Sequence, residues 1–184
     1  MATPDPSMIE IMSYYRDAEL HGATLLLRLI KLMDDPDSQV KLALHLHEET
    51  HHAWLWTRRI KELGGAPLRI ADGYQTRIGM RTVPRSLLDL LALTVVVEER
   101  SASRYQEHAA RPGTDEATLA ILKEVTKDEK WHIAWIRGKL MALAKEEGGV
   151  EKAEAAIAKY RQIDAEVYGA LKAKEAAILG GSAN

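Results

Sequence analysis

Two copies of a Glu-x-x-His pair, placed far apart in the chain, restrict the fold more than any other feature of the sequence. The first copy is Glu49 and His52, and the second is Glu129 and His132. On an α-helix this spacing puts both side chains on one face, where a carboxylate and an imidazole can bind the same metal ion. Helical bundles that hold two iron or manganese ions combine two such helices with two others that each supply one inward Glu. The sequence therefore predicts a helical bundle, provided that two further helices carry such a Glu.

The composition agrees with one domain in the cytoplasm. A chain of 184 residues, 46% of them hydrophobic and 28% charged, can bury a sizeable core, so residues 1–184 are expected to form a single domain. The net charge of -2 gives no reason to expect nucleic acid or a membrane as a partner. The absence of cysteine excludes disulfides, iron–sulfur clusters and thiol nucleophiles, and it suits a reducing compartment. Neither a secretory signal nor an apolar run long enough to span a membrane is visible.

Proline, glycine and aspartate divide the sequence into long helical segments. Stretches rich in these residues lie at 34–37, 64–65 and 111–113. The predicted helices cover residues 7–34, 37–64, 86–110, 114–145 and 150–179. The first four form the predicted bundle, residues 7–145, whereas the fifth carries no ligand set and is expected to pack on the bundle or on a second subunit. Residues 180–184 are expected to form a frayed tail.

The first and third predicted helices each carry a Glu on an apolar stripe. Glu19 lies in line with Tyr15 on the first helix, and Glu98 lies in line with Val95 on the third. A carboxylate on an apolar stripe is unfavourable unless it is paired or bound to a metal ion. Both residues are therefore candidate ligands. Glu99, on a less apolar face, remains the alternative to Glu98.

The segment between the second and third predicted helices, residues 64–84, has no clear periodicity and is long for a loop. About thirty residues separate the two Glu residues of each predicted hairpin, but Glu49 and Glu98 lie about twenty residues further apart. Twenty extended residues can run the length of such a bundle. The spacing therefore predicts a long crossover that returns the chain parallel to the second helix.

A competing motif overlaps the first Glu-x-x-His pair. The zinc-protease pattern H-E-x-x-H is formed by His47, Glu48 and His51. The face through Glu49 and His52 stays apolar to the end of the helix, whereas the face of the competing motif becomes polar. We therefore favour Glu49 and His52 as ligands and keep a zinc hydrolase as the less favoured alternative. His45 and the histidines of the competing motif are expected at the surface or beside the ligands.

The sequence resembles the ferritin-like superfamily of di-iron carboxylate proteins, and within it most resembles the rubrerythrin-type branch. The resemblance spans residues 8–145 and is strongest in EETHHAWLWTRRIKELGG, where Glu-x-x-His-Ala is followed by a terminal Gly pair. It implies an all-α, ferritin-like four-helix bundle with a long crossover between helices 2 and 3, plus a fifth C-terminal helix. The implied metal ligands are Glu19, Glu49, His52, Glu98, Glu129 and His132, with Glu49 and Glu129 as bridges.

The sequence departs from the rubrerythrin pattern in two ways. Because there is no cysteine, there is no rubredoxin-like domain, and an external donor must supply any electrons. Ser101 occupies the position where rubrerythrins carry a second Glu, which argues against their peroxidase-type ligand switching. The third helix, with Glu98, Arg104 and Tyr105, is also similar to the tRNA-modifying di-iron hydroxylases of the same superfamily.

The resemblance and the ligand types predict two iron ions as the cofactor, with manganese or a mixed iron–manganese pair as alternatives and zinc less favoured. The expected function is an oxidoreductase of peroxidase, oxidase or monooxygenase type that reacts with O2 or peroxide. The alternatives are an iron-binding or storage protein and a tRNA-hydroxylase-like monooxygenase. A homo-oligomer is expected, with a dimer favoured.

Aromatic and imidazole side chains are expected around the ligands. Tyr15 and Tyr105 each lie on a ligand face, and His45 and Trp56 lie on the face of Glu49. All four tryptophans flank the two His ligands in the sequence: Trp54, Trp56, Trp131 and Trp135. Packing within the bundle is the favoured interpretation, and a dry shell or electron route around the cluster is the alternative.

Overall fold

The computed structural model describes residues 5–180, and this part of the chain contains six α-helices and no β-strand. The helices are α1 (Pro6–Leu32), α2 (Pro36–Glu62), α3 (Tyr74–Arg81), α4 (Leu87–Ala109), α5 (Glu116–Glu146) and α6 (Val150–Gly180). The five long helices agree with the predicted ranges to within two residues at each end. The predicted tail lies outside the described residues, except for Gly180, the last residue of α6. No helix in this range is both long and apolar enough to cross a membrane.

Side-chain caps explain where four of the long helices begin. In each case a side-chain oxygen accepts a bond from a backbone N–H of the first turn. The caps are Asp5 for α1, Asp35 for α2, Ser86 for α4 and Asp115 for α5. Such a cap satisfies a backbone donor that would otherwise lack a partner and typically contributes about 1 kcal/mol. Because capping is local, these helix starts can be predicted from the sequence.

The long helices form two hairpins, α1 with α2 and α4 with α5, and α6 packs mainly on α4. The buried apolar side chains form two clusters, one on each side of the predicted ligands. The first cluster includes Leu26, Leu42, Val95 and Ile136, and the second includes Tyr15, Trp56, Tyr105 and Val125. On each of the four bundle helices the predicted ligand lies between residues of the two clusters. A layer of acidic and imidazole groups therefore divides the apolar core near the middle of the bundle.

The connection between α2 and α4 contains the short helix α3, although the sequence predicts no regular structure there. Gly64 has φ 80° immediately after α2, a backbone conformation that favours glycine and turns the chain away from the helix. Tyr74 of α3 is buried, and its hydroxyl donates a 2.7 Å bond to Asp164 of α6. Ile60 of α2 and Tyr105 of α4 share one apolar cluster. Both residues lie near the C-terminal ends of their helices.

Two ion pairs hold α6 against α4. The guanidinium of Arg104, only 3% exposed, lies 2.8 Å from Glu175, and that of Arg100 lies 2.6 Å from Asp164. Of the two arrangements predicted for α6, the structure therefore has the one in which it packs on its own bundle. The sequence does not reveal these pairs, because acidic residues on an alanine-rich helix are usually exposed.

Truncation of Glu175 to Ala is expected to lower the free energy of unfolding by about 3 kcal/mol, because it leaves the buried guanidinium of Arg104 without a counter-charge. Urea denaturation followed by circular dichroism measures this change. The matched control is Glu107→Ala, which removes a carboxylate whose contact with Lys172 is exposed and should change stability by less than about 1 kcal/mol. Equal effects of the two substitutions would contradict a structural role for the buried pair.

Candidate metal centre

Carboxylates and imidazoles from the four bundle helices meet in the layer between the two apolar clusters. α1 and α4 contribute one Glu each, and α2 and α5 contribute a Glu and a His each. The residues are Glu19, Glu49, His52, Glu98, Glu129 and His132, and none is more than 2% exposed. The structure thus brings together all six residues that the sequence singles out. Glu99 lies on the outer side of α4, where it pairs with Arg137 and Arg161, so Glu98 is the α4 residue in this layer.

The candidate ligand atoms form two groups that share Glu49. One group contains Glu19, Glu49, His52 and Glu129, and the other contains His45, Glu49, Glu98 and His132. Within each group the atoms lie within 4.8 Å of one another. Two atoms bound at about 2.1 Å to one ion lie at most about 4.2 Å apart, so a small contraction of each group would suit one ion. Glu129 reaches towards both groups, because its Oε2 is also 3.6 Å from Nδ1 of His132.

Several of these buried atoms have no hydrogen-bond partner within residues 5–180. They include Nδ1 of His52, Nδ1 of His132, Oε1 of Glu49 and both carboxylate oxygens of Glu129. An unsatisfied buried polar group typically destabilises a protein by about 1–3 kcal/mol. Carboxylate oxygens together with imidazole nitrogens are donors that suit iron and manganese. The unsatisfied atoms and the donor types therefore fit a pair of such ions.

On the side away from the cluster, His52 and His132 each form a hydrogen bond with a carboxylate of the other hairpin. The Nε2–H of His52 donates to Asp128 at 3.2 Å, and the Nε2–H of His132 donates to Glu48 at 2.8 Å. These bonds leave Nδ1 of each ring facing the cluster. Such partners fix the tautomer and the orientation of a metal-binding imidazole. Sequence reasoning missed both, although an acidic residue stands directly before the Glu of each Glu-x-x-His pair.

His45 lies deeper in the cluster than the sequence indicates. Its ring is fully buried and stacks on His132 with 3.5 Å between ring centroids. Its Nε2 is 3.5 Å from Oε1 of Glu49 and 3.4 Å from Oε1 of Glu98.

The competing zinc-protease pattern does not converge on a common point. His47 is exposed, and His51 is partly exposed and contacts Glu124. Glu48 points inward to His132 instead. None of the pattern's three residues belongs to either group of candidate ligands in the described part of the chain.

Aromatic side chains cover the Glu19 side of the cluster. The hydroxyl of Tyr105 donates to Glu19, and the Tyr105 ring meets that of Tyr15 edge to face with centroids 5.0 Å apart. Trp56 is fully buried beside Tyr15, at 5.1 Å between centroids. Tyr15 also bonds through its hydroxyl to Nδ1 of His108 at 3.1 Å, a partner that no sequence pattern indicates.

The other tryptophans differ in how far they are buried. Trp131 lies 5.6 Å from His45 between ring centroids, but Trp54 is 51% exposed. The prediction that Trp54 packs within the bundle is therefore wrong, because its position on α2 faces outward.

Burial and mutual repulsion favour the protonated form of two carboxylates in the cluster, those of Glu49 and Glu129. Burial raises the pKa of Glu49 well above 4.5, and the nearby charges of Glu98 and Glu19 raise it further. Burial likewise raises the pKa of Glu129, and Glu98 and Glu49 add to the effect. Bound cations would remove the mutual repulsion that favours these protons.

The remaining groups are shifted by contacts between carboxylates and imidazoles. Burial raises the pKa of Glu98, but contact with His45 outweighs it and the net pKa is about 2. Burial, and then the proximity of His45, lowers the pKa of His132 to about 2. Burial lowers the pKa of His52, but the neighbouring carboxylate of Glu19 outweighs it and raises the pKa to about 9. Of these two imidazoles, His132 is thus neutral at pH 7 even without a metal ion.

Comparison with known proteins establishes the fold but not a family. No protein-family model matches the sequence, and no curated protein matches it. Among solved structures, the chain is similar to a dodecameric thioferritin, the bacterioferritin-related protein from Bacteroides fragilis. The two chains are 24% identical, with a TM-score of 0.63 over 77% of this chain and 88% of that chain. At this identity the likeness shows a ferritin-like helical fold and does not distinguish the rubrerythrin-type branch.

Replacement of Asp128 by Ala is expected to weaken metal binding about 10- to 100-fold, because the imidazole of His52 loses the carboxylate that orients it. Competition with a chelator of known affinity measures the change. The control is Glu124→Ala, which removes another carboxylate of α5 that contacts an α2 histidine, but at the exposed His51. Equal affinities of the two variants would show that the buried contact does not support the ligand.

In the metal-free protein, Glu129→Gln is expected to raise the free energy of unfolding near pH 7 and to leave it about unchanged near pH 4. Because the pKa of Glu129 is raised above 4.5 in the folded state, the folded protein loses stability as pH rises from 4.5 through that pKa. Glutamine has no proton to lose and escapes this loss, which can reach about 1.4 kcal/mol per pH unit. Urea denaturation with a chelator present, at several pH values, measures the difference.

The control for the pH experiment is Glu124→Gln, because Glu124 is an exposed carboxylate of the same helix. Because this substitution removes no buried charge, it should give no comparable gain in stability near pH 7. A pH-independent difference for Glu129→Gln would mean that the Glu129 carboxyl titrates normally in the folded protein.

Proposed function

We propose that this protein binds a pair of iron ions between its two hairpins and oxidises ferrous iron, as an iron-binding or storage protein with a ferritin-like fold. The observation that carries the proposal is the convergence of six buried Glu and His side chains, several with unsatisfied ligand atoms among residues 5–180. Buried carboxylates without partners are so unfavourable that their grouping in one layer calls for cations.

The proposed ligands divide into terminal and bridging residues. Glu49 belongs to both groups of ligand atoms, and Glu129 lies within reach of both, which supports a bridging role for each. Glu19 and His52 would then complete one ion position, and Glu98 and His132 the other. Four carboxylates balance the charge of two divalent cations. Manganese or a mixed iron–manganese pair fits the same donors, and zinc is less favoured.

Bound iron would supply one-electron redox chemistry, with O2 or peroxide as the electron acceptor. The chain's own residues hold and shield the centre. Tyr105 donates to Glu19 and fixes the orientation of that carboxylate. Tyr15 and Trp56 cover the same side with buried rings and keep water from the ligands.

Iron storage is favoured over other chemistry for two reasons. The six candidate ligands are almost completely buried, so a small ion reaches them more readily than an organic substrate does. The similar thioferritin is a dodecamer. The outer faces of α1 and α2 expose large apolar side chains that support self-association. They are Leu20, Leu27, Val40, Leu44 and Trp54. The sequence favours a dimer, and the assembly size is the quantity to measure.

An oxidoreductase with an external electron donor is the second candidate. A cavity of about 340 Å³ is lined by Tyr15, Arg104 and His108 among others. Tyr15 packs against Tyr105, which bonds to Glu19, so a donor or co-substrate in this cavity would lie two aromatic rings from the centre. This contact favours electron entry from that side.

The remaining alternatives receive less support. Arg104, part of the similarity to tRNA-modifying hydroxylases, is buried in its pair with Glu175 and is not presented to RNA phosphates. A zinc hydrolase would need His47 and His51 to share an ion with a third ligand, but both lie outside the buried cluster.

Anaerobic titration of the metal-free protein with ferrous iron tests the proposal. Elemental analysis is expected to find two ions per chain. His52→Ala should lose most of the bound iron, because it removes a ligand atom from the cluster. His47→Ala, an exposed histidine of the same helix, should retain it. One tightly held zinc ion, with no iron uptake after reconstitution, would contradict a di-iron centre and return attention to the hydrolase alternative.

Subsequent addition of O2 or peroxide separates the two candidate functions. A storage protein should continue to take up iron beyond two ions per chain, and sedimentation should detect a large assembly. An oxidoreductase should stop at two ions and turn over only when a reductant or co-substrate is supplied.

A further inference from the structure

His45 is a buried imidazole to which the proposed six-ligand set gives no role. It lies on α2 one helical turn before Glu49, and neither of its ring nitrogens has a hydrogen-bond partner within residues 5–180. Buried polar groups nearly always have a partner. The buried rings of His52 and His132 do have such a partner at Nε2, because each donates its Nε2–H to a carboxylate. His45 therefore needs an explanation that packing alone does not provide.

The atoms around Nε2 of His45 are arranged like the ligands of one ion. Oε1 of Glu98 lies at 3.4 Å and Oε1 of Glu49 at 3.5 Å. His132 belongs to the same group, and its Nδ1 lies 3.6 Å from Oε1 of Glu49. Neither oxygen makes a hydrogen bond to the ring. Separations of roughly 3–4 Å are, however, those between neighbouring ligands bound at about 2.1 Å to a single cation.

The other Glu-x-x-His helix shows that this histidine is not part of the repeated pattern. On α5 the residue one turn before Glu129 is Val125, which is buried in the apolar core. The two hairpins thus present matching Glu-x-x-His pairs, but only α2 adds an imidazole at the preceding turn. The extra nitrogen lies on the side of Glu98 and His132.

We propose that His45 is a seventh protein ligand, bound through Nε2 to the same ion as Glu98 and His132, so that the two metal positions differ. One position would have three carboxylates and one imidazole, from Glu19, Glu49, Glu129 and His52. The other would share the bridging carboxylates of Glu49 and Glu129 and add that of Glu98, with two imidazoles, from His45 and His132. This inference rests on the proposed dinuclear centre and adds a chemical difference between its halves.

The two donor sets select metals differently. Imidazole-rich sites favour the later first-row divalent ions, whereas carboxylate-rich sites suit harder ions such as manganese. The first equivalent of a borderline cation such as Co²⁺ is therefore expected to enter the position that contains His45. A second equivalent then fills the carboxylate-rich position more weakly.

A cobalt titration of metal-free wild-type protein, His45→Phe and His47→Phe tests the assignment. Phenylalanine keeps a flat ring to stack on His132 but cannot bind a metal ion, and His47 is the exposed control on the same helix. Wild type and His47→Phe should bind two Co²⁺ per chain in two steps of unequal affinity. His45→Phe should weaken the tighter step by about 100-fold, at the upper end of losses from supporting residues.

Two further readouts distinguish a ligand from a packing residue. Cobalt should raise the melting temperature of wild type more than that of His45→Phe, each measured against its own metal-free form, because the variant offers one ligand fewer. Cobalt-loaded wild type should show three paramagnetically shifted, exchangeable imidazole N–H resonances, from His45, His52 and His132. The variant should show two.

The outcomes separate this inference from the proposal on which it rests. Fewer than two Co²⁺ per wild-type chain would overturn the dinuclear centre and the role of His45 with it. Two Co²⁺ per chain with unchanged affinities in His45→Phe would overturn the role of His45 alone. If the variant does not fold, the wild-type spectrum decides, because two N–H resonances would exclude a third imidazole ligand.

Discussion

The burial of four carboxylates in one layer of a helical bundle is the constraint on which the rest of this structure depends. Glu19, Glu49, Glu98 and Glu129 are removed from water, and the raised pKa values of Glu49 and Glu129 express the resulting repulsion and lost solvation. The apolar clusters on both sides of the layer keep water out and lower the local dielectric constant. A low dielectric makes uncompensated charge unfavourable and strengthens its attraction to a cation. The same environment that destabilises the metal-free protein therefore favours metal binding.

The acidic layer also joins the two hairpins. Within each hairpin the helices pack extensively, whereas α1 with α4 and α2 with α5 make fewer contacts. Hydrogen bonds between side chains cross this interface between the two hairpins. His52 bonds to Asp128, His132 bonds to Glu48, and Tyr105 bonds to Glu19. Each links a side chain of one hairpin to the other, so the geometry of the candidate centre and the docking of the hairpins are set together.

Patterns confined to one helix could be predicted from the sequence, and those that depend on another helix could not. Caps such as Asp35 and stripes such as Val95–Glu98 are local, so helix bounds and ligand faces follow from spacing. The structural role of Glu48 depends instead on its hydrogen bond with His132 of α5. Within α2 alone it looks like part of a zinc-protease pattern. The short helix α3 is stabilised by a bond from Tyr74 to α6, and the predicted loop showed no period that could reveal it.

The proposed difference between the two halves of the candidate centre depends on a few positions at which two nearly matching hairpins differ. Each hairpin offers an acidic residue followed by Glu-x-x-His, and these residues meet as equivalents across the layer. His45 replaces what is Val125 on the other hairpin, and Tyr105 bonds to Glu19 on the side away from His45. One half thus gains a nitrogen donor and the other a phenol that bonds to its carboxylate. Because ligand type and the hydrogen bonds to ligands tune metal affinity, a repeated scaffold can hold two ions that are not equivalent.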